Sequence, residues 1–119
     1  MEVRPADPDE VAAVRGVLNA AMLSVDETAL QRGTTLVAVE ADRLLGALVL
    51  DGAEIDAVAV RPGRRGRGIG TALVSAAAGR RERLTAGFDP GVRPFYESLG
   101  FEVECADGRC RGVRDSTAP

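Results

Sequence analysis

The sequence predicts a single-domain α/β fold of the α+β kind, built on a mixed, mostly antiparallel sheet. Three observations lead there. Apolar residues alternate or cluster in seven short segments and recur at helical spacing in four others, in the order β-α-α-β-β-β-α-β-α-β-β. Short turn sequences, Ala41-Asp42, Asp51-Gly52 and Asp107-Gly108, join neighbouring strands as hairpins do. A helical stretch separates the strand ending at Val60 from the strand starting at Leu84, which requires those two strands to run parallel. A length of 119 residues suffices for one two-layer core, and 45% apolar with 28% charged residues is the composition of a globular chain.

Val3-Arg4-Pro5 opens as a short strand. Asp7-Pro8-Asp9-Glu10 is a helix start, with Asp7 as N-cap, Pro8 at the first helical position and Glu10 at N3. Val11, Val14, Leu18 and Met22 follow at helical spacing and make one apolar face. Ser24-Val25-Asp26-Glu27 repeats the capping pattern and begins a second, shorter helix that Gly33 stops. Strands follow over 35–40, 43–50 and 54–60, the middle one strongly apolar. Asp51-Gly52 between the last two accepts the positive φ angles of a type I′ turn. A helix runs from Thr71 to about Arg83, with Leu73, Ala76, Ala77 and the Arg80 stem on one side. Leu84 to Phe88 is the parallel strand. Asp89-Pro90-Gly91 turns the chain into a short helix through Phe95, Tyr96 and Leu99, stopped by Gly100, with Pro94 confined to its first turn. Phe101 to Cys105 and Arg109 to Val113 close a hairpin around Asp107-Gly108. The tail, 114–119, frays, leaving a core of 3–113.

Composition excludes several functions. A net charge of −3, with three Phe, one Tyr and no Trp, argues against a nucleic-acid binder, because backbone neutralisation and stacking platforms are both scarce. All 15 basic residues are Arg and there is no His, so a general base must be a carboxylate, the N-terminal amine or water. Two cysteines are too few for a disulfide scaffold or a zinc site, and no metal is expected. With no apolar run of spanning length and no basic-then-apolar leader, the chain reads as soluble and cytoplasmic. Cys105 and Cys110 face each other across the last hairpin, close enough to bond, but a reducing cytoplasm predicts free thiols.

The most distinctive stretch is Val58-Ala59-Val60-Arg61-Pro62-Gly63-Arg64-Arg65-Gly66-Arg67-Gly68-Ile69-Gly70-Thr71. An apolar strand feeds a Gly/Arg loop that opens directly into a helix. Unpaired N–H groups and the positive end of the helix dipole make such a terminus an anion site, and Arg64, Arg65 and Arg67 add charge. The Walker loop fails for want of any Lys. The dinucleotide fingerprint fails because Gly66, Gly68 and Gly70 have the wrong spacing. What fits is Arg65-x-x-Gly68-x-Gly70, the Arg/Gln-x-x-Gly-x-Gly/Ala pattern of the GCN5-related N-acetyltransferases (GNAT). A second match, Phe95-Tyr96-Glu97-Ser98-Leu99-Gly100-Phe101, is similar to the same family's Phe-Tyr-Glu-x-x-Gly-Phe signature. With the element order, the resemblance covers nearly the whole chain.

The resemblance implies the GNAT acyl-CoA N-acyltransferase fold, with helices on both sheet faces, and acetyl-CoA as co-substrate. It places the pyrophosphate and pantetheine on Val58, Ala59, Val60, Arg65, Gly66, Arg67, Gly68, Ile69, Gly70, Thr71 and Asp89. It assigns Tyr96 to protonation of the departing CoA thiolate, and an N–H near Val58 to polarising the thioester carbonyl. Glu54 stands where family members hold a catalytic glutamate, with Asp56 or a water as the alternative base. Period-2 alternation puts Glu54, Asp56, Val58 and Val60 on one face unless a bulge intervenes, and the family carries a bulge there that splays this strand from its parallel neighbour. The acceptor is a small-molecule or peptide amine bound partly by the two N-terminal helices; no membrane is involved, and a homodimer is compatible. The chain departs from the family at Asp89, where Asn is usual, and at Val92, where a small residue is usual. A non-catalytic acyl-CoA-binding or regulatory module on the same fold is the alternative.

Overall fold

The computed structural model describes residues 1–20 and 33–115. The second helix expected from Ser24, Met22 of the first apolar face, and the last four residues of the tail lie outside the described residues. Strand β1 (Glu2–Pro5) leads through a 3-10 turn (Pro8–Glu10) into helix α1 (Val11–Ala20). Strands β2 (Thr34–Glu40), β3 (Arg43–Asp51) and β4 (Glu54–Val60) follow, then a second 3-10 turn (Pro62–Arg64) and α2 (Ile69–Ala78). After β5 (Arg83–Phe88), a third 3-10 turn (Pro90–Val92) runs into α3 (Arg93–Ser98), and β6 (Glu102–Ala106) and β7 (Arg109–Asp115) complete the chain. The strands form one sheet in the order β1-β2-β3-β4-β5-β7-β6, antiparallel throughout except between β4 and β5. Among the described residues, no helix is long and apolar enough to cross a membrane.

The start of α1 is held as the capping pattern predicts. Glu10 Oε1 accepts the Asp7 N–H at 2.8 Å, and Arg4 grips both Glu10 oxygens at 2.7 and 2.9 Å. Those Arg4 bonds, with the Asp7 N–H, hold the Glu10 carboxyl at about 2. Val11, at the first position of α1, is exposed, while Val14 and Leu18 of the expected apolar face are buried and Val17 joins them. They pack on Val37, Ala47, Val49, Ala57 and Ala59 of one sheet face. Leu73, Val74, Ala77 and Tyr96 cover the other face, against Leu36, Leu48, Leu50, Leu84 and Phe88. Helices therefore lie on both faces, and β3 between them is apolar at nearly every position because both its sides are buried.

Four sequence expectations need correction. Asp51 pairs with Glu54, so the β3–β4 turn is Gly52-Ala53 rather than Asp51-Gly52. Gly52 has φ 60° while Ala53 does not have positive φ, the pattern of a type II′ turn. Helix α2 begins at Ile69 and ends at Ala78 instead of reaching Arg83. Gly79 terminates it, and Arg83 is drawn into β5 by pairing with Asp115. That same pairing extends the core to residue 115 instead of 113. Cys105 and Cys110 are bonded rather than free. Asp107 (φ 53°) and Gly108 (φ 77°) form the expected I′ turn, and this register sets the two cysteines directly opposite each other.

Candidate active site

The site begins with a bulge. Val49 pairs with Ala57 and Leu50 with Ile55, which leaves Asp56 as the extra residue of β4. The extra residue reverses the alternation. Ile55 packs with Val58 and Val60 on the α2 side, while Ala57 and Ala59 turn to α1. Glu54, one residue before Ile55, thus falls on the α1 side and not on the face of Val58 and Val60. The bend also parts the strands: β4 and β5 pair only at Glu54–Thr85 and Ile55–Ala86.

Beyond that split the chain makes a braced loop. The Arg61 N–H donates to the Leu45 carbonyl at 2.9 Å, and Arg61 Nε donates to the Leu44 carbonyl at 2.6 Å, pinning the loop's entry to β3. Gly66 (φ 77°) and Gly68 (φ 82°) take left-handed conformations in open space, so backbone geometry rather than crowding calls for glycine there. Gly68 caps α2 without a side-chain cap bond, and the first-turn N–H groups have no intrahelical acceptor. At Gly70 the need is contact: a Cβ would stand 3.4 Å from Phe95 Cζ.

Split, loop and α3 enclose a cleft of about 700 Å³. Its β4 wall includes Asp56, Val58, Ala59 and Val60. Its loop and α2 end contribute Arg65, Gly66, Gly68, Ile69, Gly70 and Thr71, and its far wall contributes Gly87, Asp89, Tyr96 and Arg109. Nearly every residue expected to bind the donor therefore meets in one place, as does Tyr96. Arg67 and Glu54 do not line the cleft. A smaller hollow of about 390 Å³ between Ala6, Val11 and Gly33 holds none of these residues.

Tyr96 is set rigidly. Its ring stacks on Phe88 at 4.2 Å and meets Phe95 and Phe101 edge-on, each at 5.1 Å. Burial pushes its phenol up to about 12, because the anion would lose its hydration. It is an acid that keeps its proton across the working range.

The carboxylates are held by arginines of β7. Arg109 Nη1 donates to Asp89 Oδ1 at 3.1 Å. Glu54 Oε1 accepts from Thr85 Oγ1 and from Arg111 Nη2, the latter at 3.3 Å. Sequence reasoning missed Gly87, Arg109 and Arg111. The signal was present as Arg109-Cys110-Arg111, polar-apolar-polar at strand period. It became readable only once β7 was placed beside β5.

Residues 31–103 match the family described as Acetyltransferase (GNAT) domain. A search of curated proteins found no match. Among solved structures, the chain is similar to Rv2747 of Mycobacterium tuberculosis in complex with CoA and NLQ, with 17% identity over 97% of this chain and 99% of that one and a TM-score of 0.80. It is similar to a GNAT family acetyltransferase from Elizabethkingia anophelis with acetyl-CoA bound (16% identity, 96% and 97% covered, TM-score 0.75). It is also similar to Arabidopsis thaliana Naa50 in complex with a bisubstrate analogue (14% identity, 94% and 95% covered, TM-score 0.76). The split sheet, the Gly/Arg loop on a helix N-terminus and the buried tyrosine thus occur in a chain that belongs to the GNAT family, the acyl-CoA-dependent acetyltransferases.

Proposed function

We propose that this protein transfers the acetyl group of acetyl-CoA to a primary amine by direct attack of the amine on the thioester. The observation that carries the reading is the cleft between β4 and β5, with a helix N-terminus that has no side-chain cap at one end and Tyr96 in its wall. The similar structures that hold CoA or acetyl-CoA support the choice of donor. N–H groups from Gly66 to Thr71, with Arg65, would hold the pyrophosphate, Arg67 outside the cleft lining would add only its charge to the loop, and the edge of β4 at Val58, Ala59 and Val60 would receive the pantetheine. Asp89 takes part through its place in the cleft wall, already paired with Arg109.

The chemistry asked of the chain is modest. The amine nitrogen bonds to the acetyl carbon, the C–S bond breaks, and the sulfur leaves as a thiolate. A β4 N–H near Val58 stabilises the oxyanion, and Tyr96 gives its proton to the thiolate. The amine's proton leaves to a carboxylate, Glu54 or Asp56, directly or through water. Alignment of the two substrates in the cleft supplies the larger share of the acceleration.

The test is thermal unfolding with and without acetyl-CoA. At about 100 times the dissociation constant the ligand adds about 2.7 kcal/mol, several degrees in a domain of this size. Gly70→Leu, which drives a side chain into Phe95, abolishes the shift; Tyr96→Phe keeps it and loses turnover. A folded wild type with no shift refutes the reading. A shift without turnover of any amine selects the non-catalytic binding module.

A further inference from the structure

On β5 and β7 the residues that point away from α2 and α3 are Thr85, Gly87, Arg109 and Arg111, while Leu84, Ala86, Phe88 and Cys110 between them are buried. Helix α1 lies on this same side of the sheet, over β3 and β4. Glu54 shares it, and Arg111 reaches Glu54 across β5, passing the position where Gly87 has no side chain. A Cβ on Gly87 would stand 3.6 Å from Arg109 Nη2, so the bare backbone there is the floor over which the arginines lie. The result is an opposed pair, one carboxylate and one guanidinium, at the seam where Glu54 still pairs with Thr85, next to the cleft that Ile55 and Gly87 line.

That pair is built to be exchanged. The Arg111 side chain is 60% exposed and Glu54 is 38% exposed, and they touch at 3.3 Å through a single nitrogen. Such pairs contribute little to stability, and long exposed side chains part without moving the backbone. An incoming ammonium alone would take Glu54 and leave Arg111 without its partner. A carboxylate alone would do the reverse. A molecule carrying both charges turns one weak pair into two, with its carboxylate on the guanidinium fork and its amine on Glu54.

Building on the acetyl-transfer reading, we infer that the acceptor is a small amino carboxylate such as a free amino acid, and that Arg111 selects it. Engagement of Arg111 by the acceptor's carboxylate removes one of the two donors on Glu54 Oε1, leaving Thr85 Oγ1 there, and the acceptor's nitrogen takes the position the guanidinium gives up. Glu54 takes one proton from the bound ammonium, the neutral nitrogen bonds to the acetyl carbon, the C–S bond breaks, the second nitrogen proton leaves to water, and the departing thiolate takes the Tyr96 proton. Arg111 is a specificity residue here, with no bond made or broken on it.

The experiment compares turnover of free amino acids with turnover of the corresponding amino acid amides, which keep the amine and lose the negative charge. Wild type is expected to prefer at least one acid over its amide by tenfold or more in kcat/KM. Arg111→Gln is expected to abolish that preference, chiefly by raising KM for the acid, with the acetyl-CoA thermal shift unchanged. A merely structural Arg111 would lower both substrates together and leave their ratio intact. Amides turned over as well as acids, or an unchanged ratio in Arg111→Gln, overturn the inference. So does an intact acetyl-CoA shift with no amino acid turned over, which leaves the donor site standing; loss of the shift in wild type is instead the failure of the acetyl-transfer reading.

Discussion

Replacing Tyr96 with Phe removes one oxygen and, with it, the side chain that alone ionises between the N-terminal amine and the arginines. The sequence has no Lys, no His and one Tyr, and both cysteines are bonded. In the fold, burial lifts the phenol to about 12, whereas an unfolded chain ionises it near ~10. The folded state therefore holds this proton more tightly. The associated stability is fully present below about pH 10 and is lost as pH rises from about 10 to about 12, where the unfolded state gains by ionising. From those two values the wild type loses about 1.4 kcal/mol by about pH 11, a drop of about 5 °C in melting temperature. Full ionisation would bring the loss to about 2.7 kcal/mol. Urea unfolding from about pH 8 to about pH 11 should show this decline in wild type and a flat profile in Tyr96→Phe, whose packing on Phe88 and Phe101 is unchanged. Ultraviolet titration of the lone phenol gives the second readout. A midpoint near ~10, or parallel alkaline profiles for the two proteins, would refute the claim that Tyr96 is a buried, protonated acid.

Three further outcomes are expected. A Cβ at Gly46 would stand 2.9 Å from the Ala59 carbonyl oxygen and 3.1 Å from Ile69 Cγ2. Gly46→Ala should therefore cost about 1–3 kcal/mol by overpacking α2 on β3, and an unmoved denaturation midpoint would count against that contact. Because Arg4 holds the Glu10 carboxyl at about 2, below its usual 4.5, the contribution of Glu10 is present above about pH 4.5 and vanishes as pH falls toward 2. Wild type should thus exceed Glu10→Gln in stability at neutral pH and converge with it in acid, as read by circular dichroism. Reducing the Cys105–Cys110 bond, five residues apart in sequence, should lower stability by about 2 kcal/mol on the chain-entropy account of so short a loop. Equal melting temperatures with and without a thiol reductant would show that the bond does not form.

What could be read from residues alone was local. Strand β4 runs from Glu54 to Val60 as its alternation suggested, the I′ turn falls on Asp107-Gly108, and Arg65-x-x-Gly68-x-Gly70 sits where strand becomes helix. What escaped depended on distant partners. Asp51-Gly52 and Gly52-Ala53 both offer a glycine for positive φ, and the pairing of Asp51 with Glu54 decides between them. Arg80 to Arg83 has helical propensity, but Arg83 must meet Asp115 across the sheet. The position of Glu54 turned on a single extra residue, Asp56, because a bulge has no composition of its own. Arg109 and Arg111 look like solvated strand residues until β7 is known to lie between β5 and β6. Free thiols were expected from an assumed compartment, whereas the hairpin register sets the two sulfurs together.

The split in the sheet has a mechanical side. β3 joins β4 through six residue pairs and β5 joins β7 through six, yet β4 and β5 share only two. The domain is thus a four-stranded leaf and a three-stranded leaf hinged on a short seam, with α2 as the strap across it. Thr85 to Glu54 and Arg81 to the Gly52 carbonyl are small stitches beside the hinge. An extended molecule lying between the leaves adds rungs to an unfinished ladder. If the cleft takes the extended donor proposed above, the whole domain should stiffen, and the amides nearest the seam are where slowing of hydrogen exchange would first register that the leaves have been tied together.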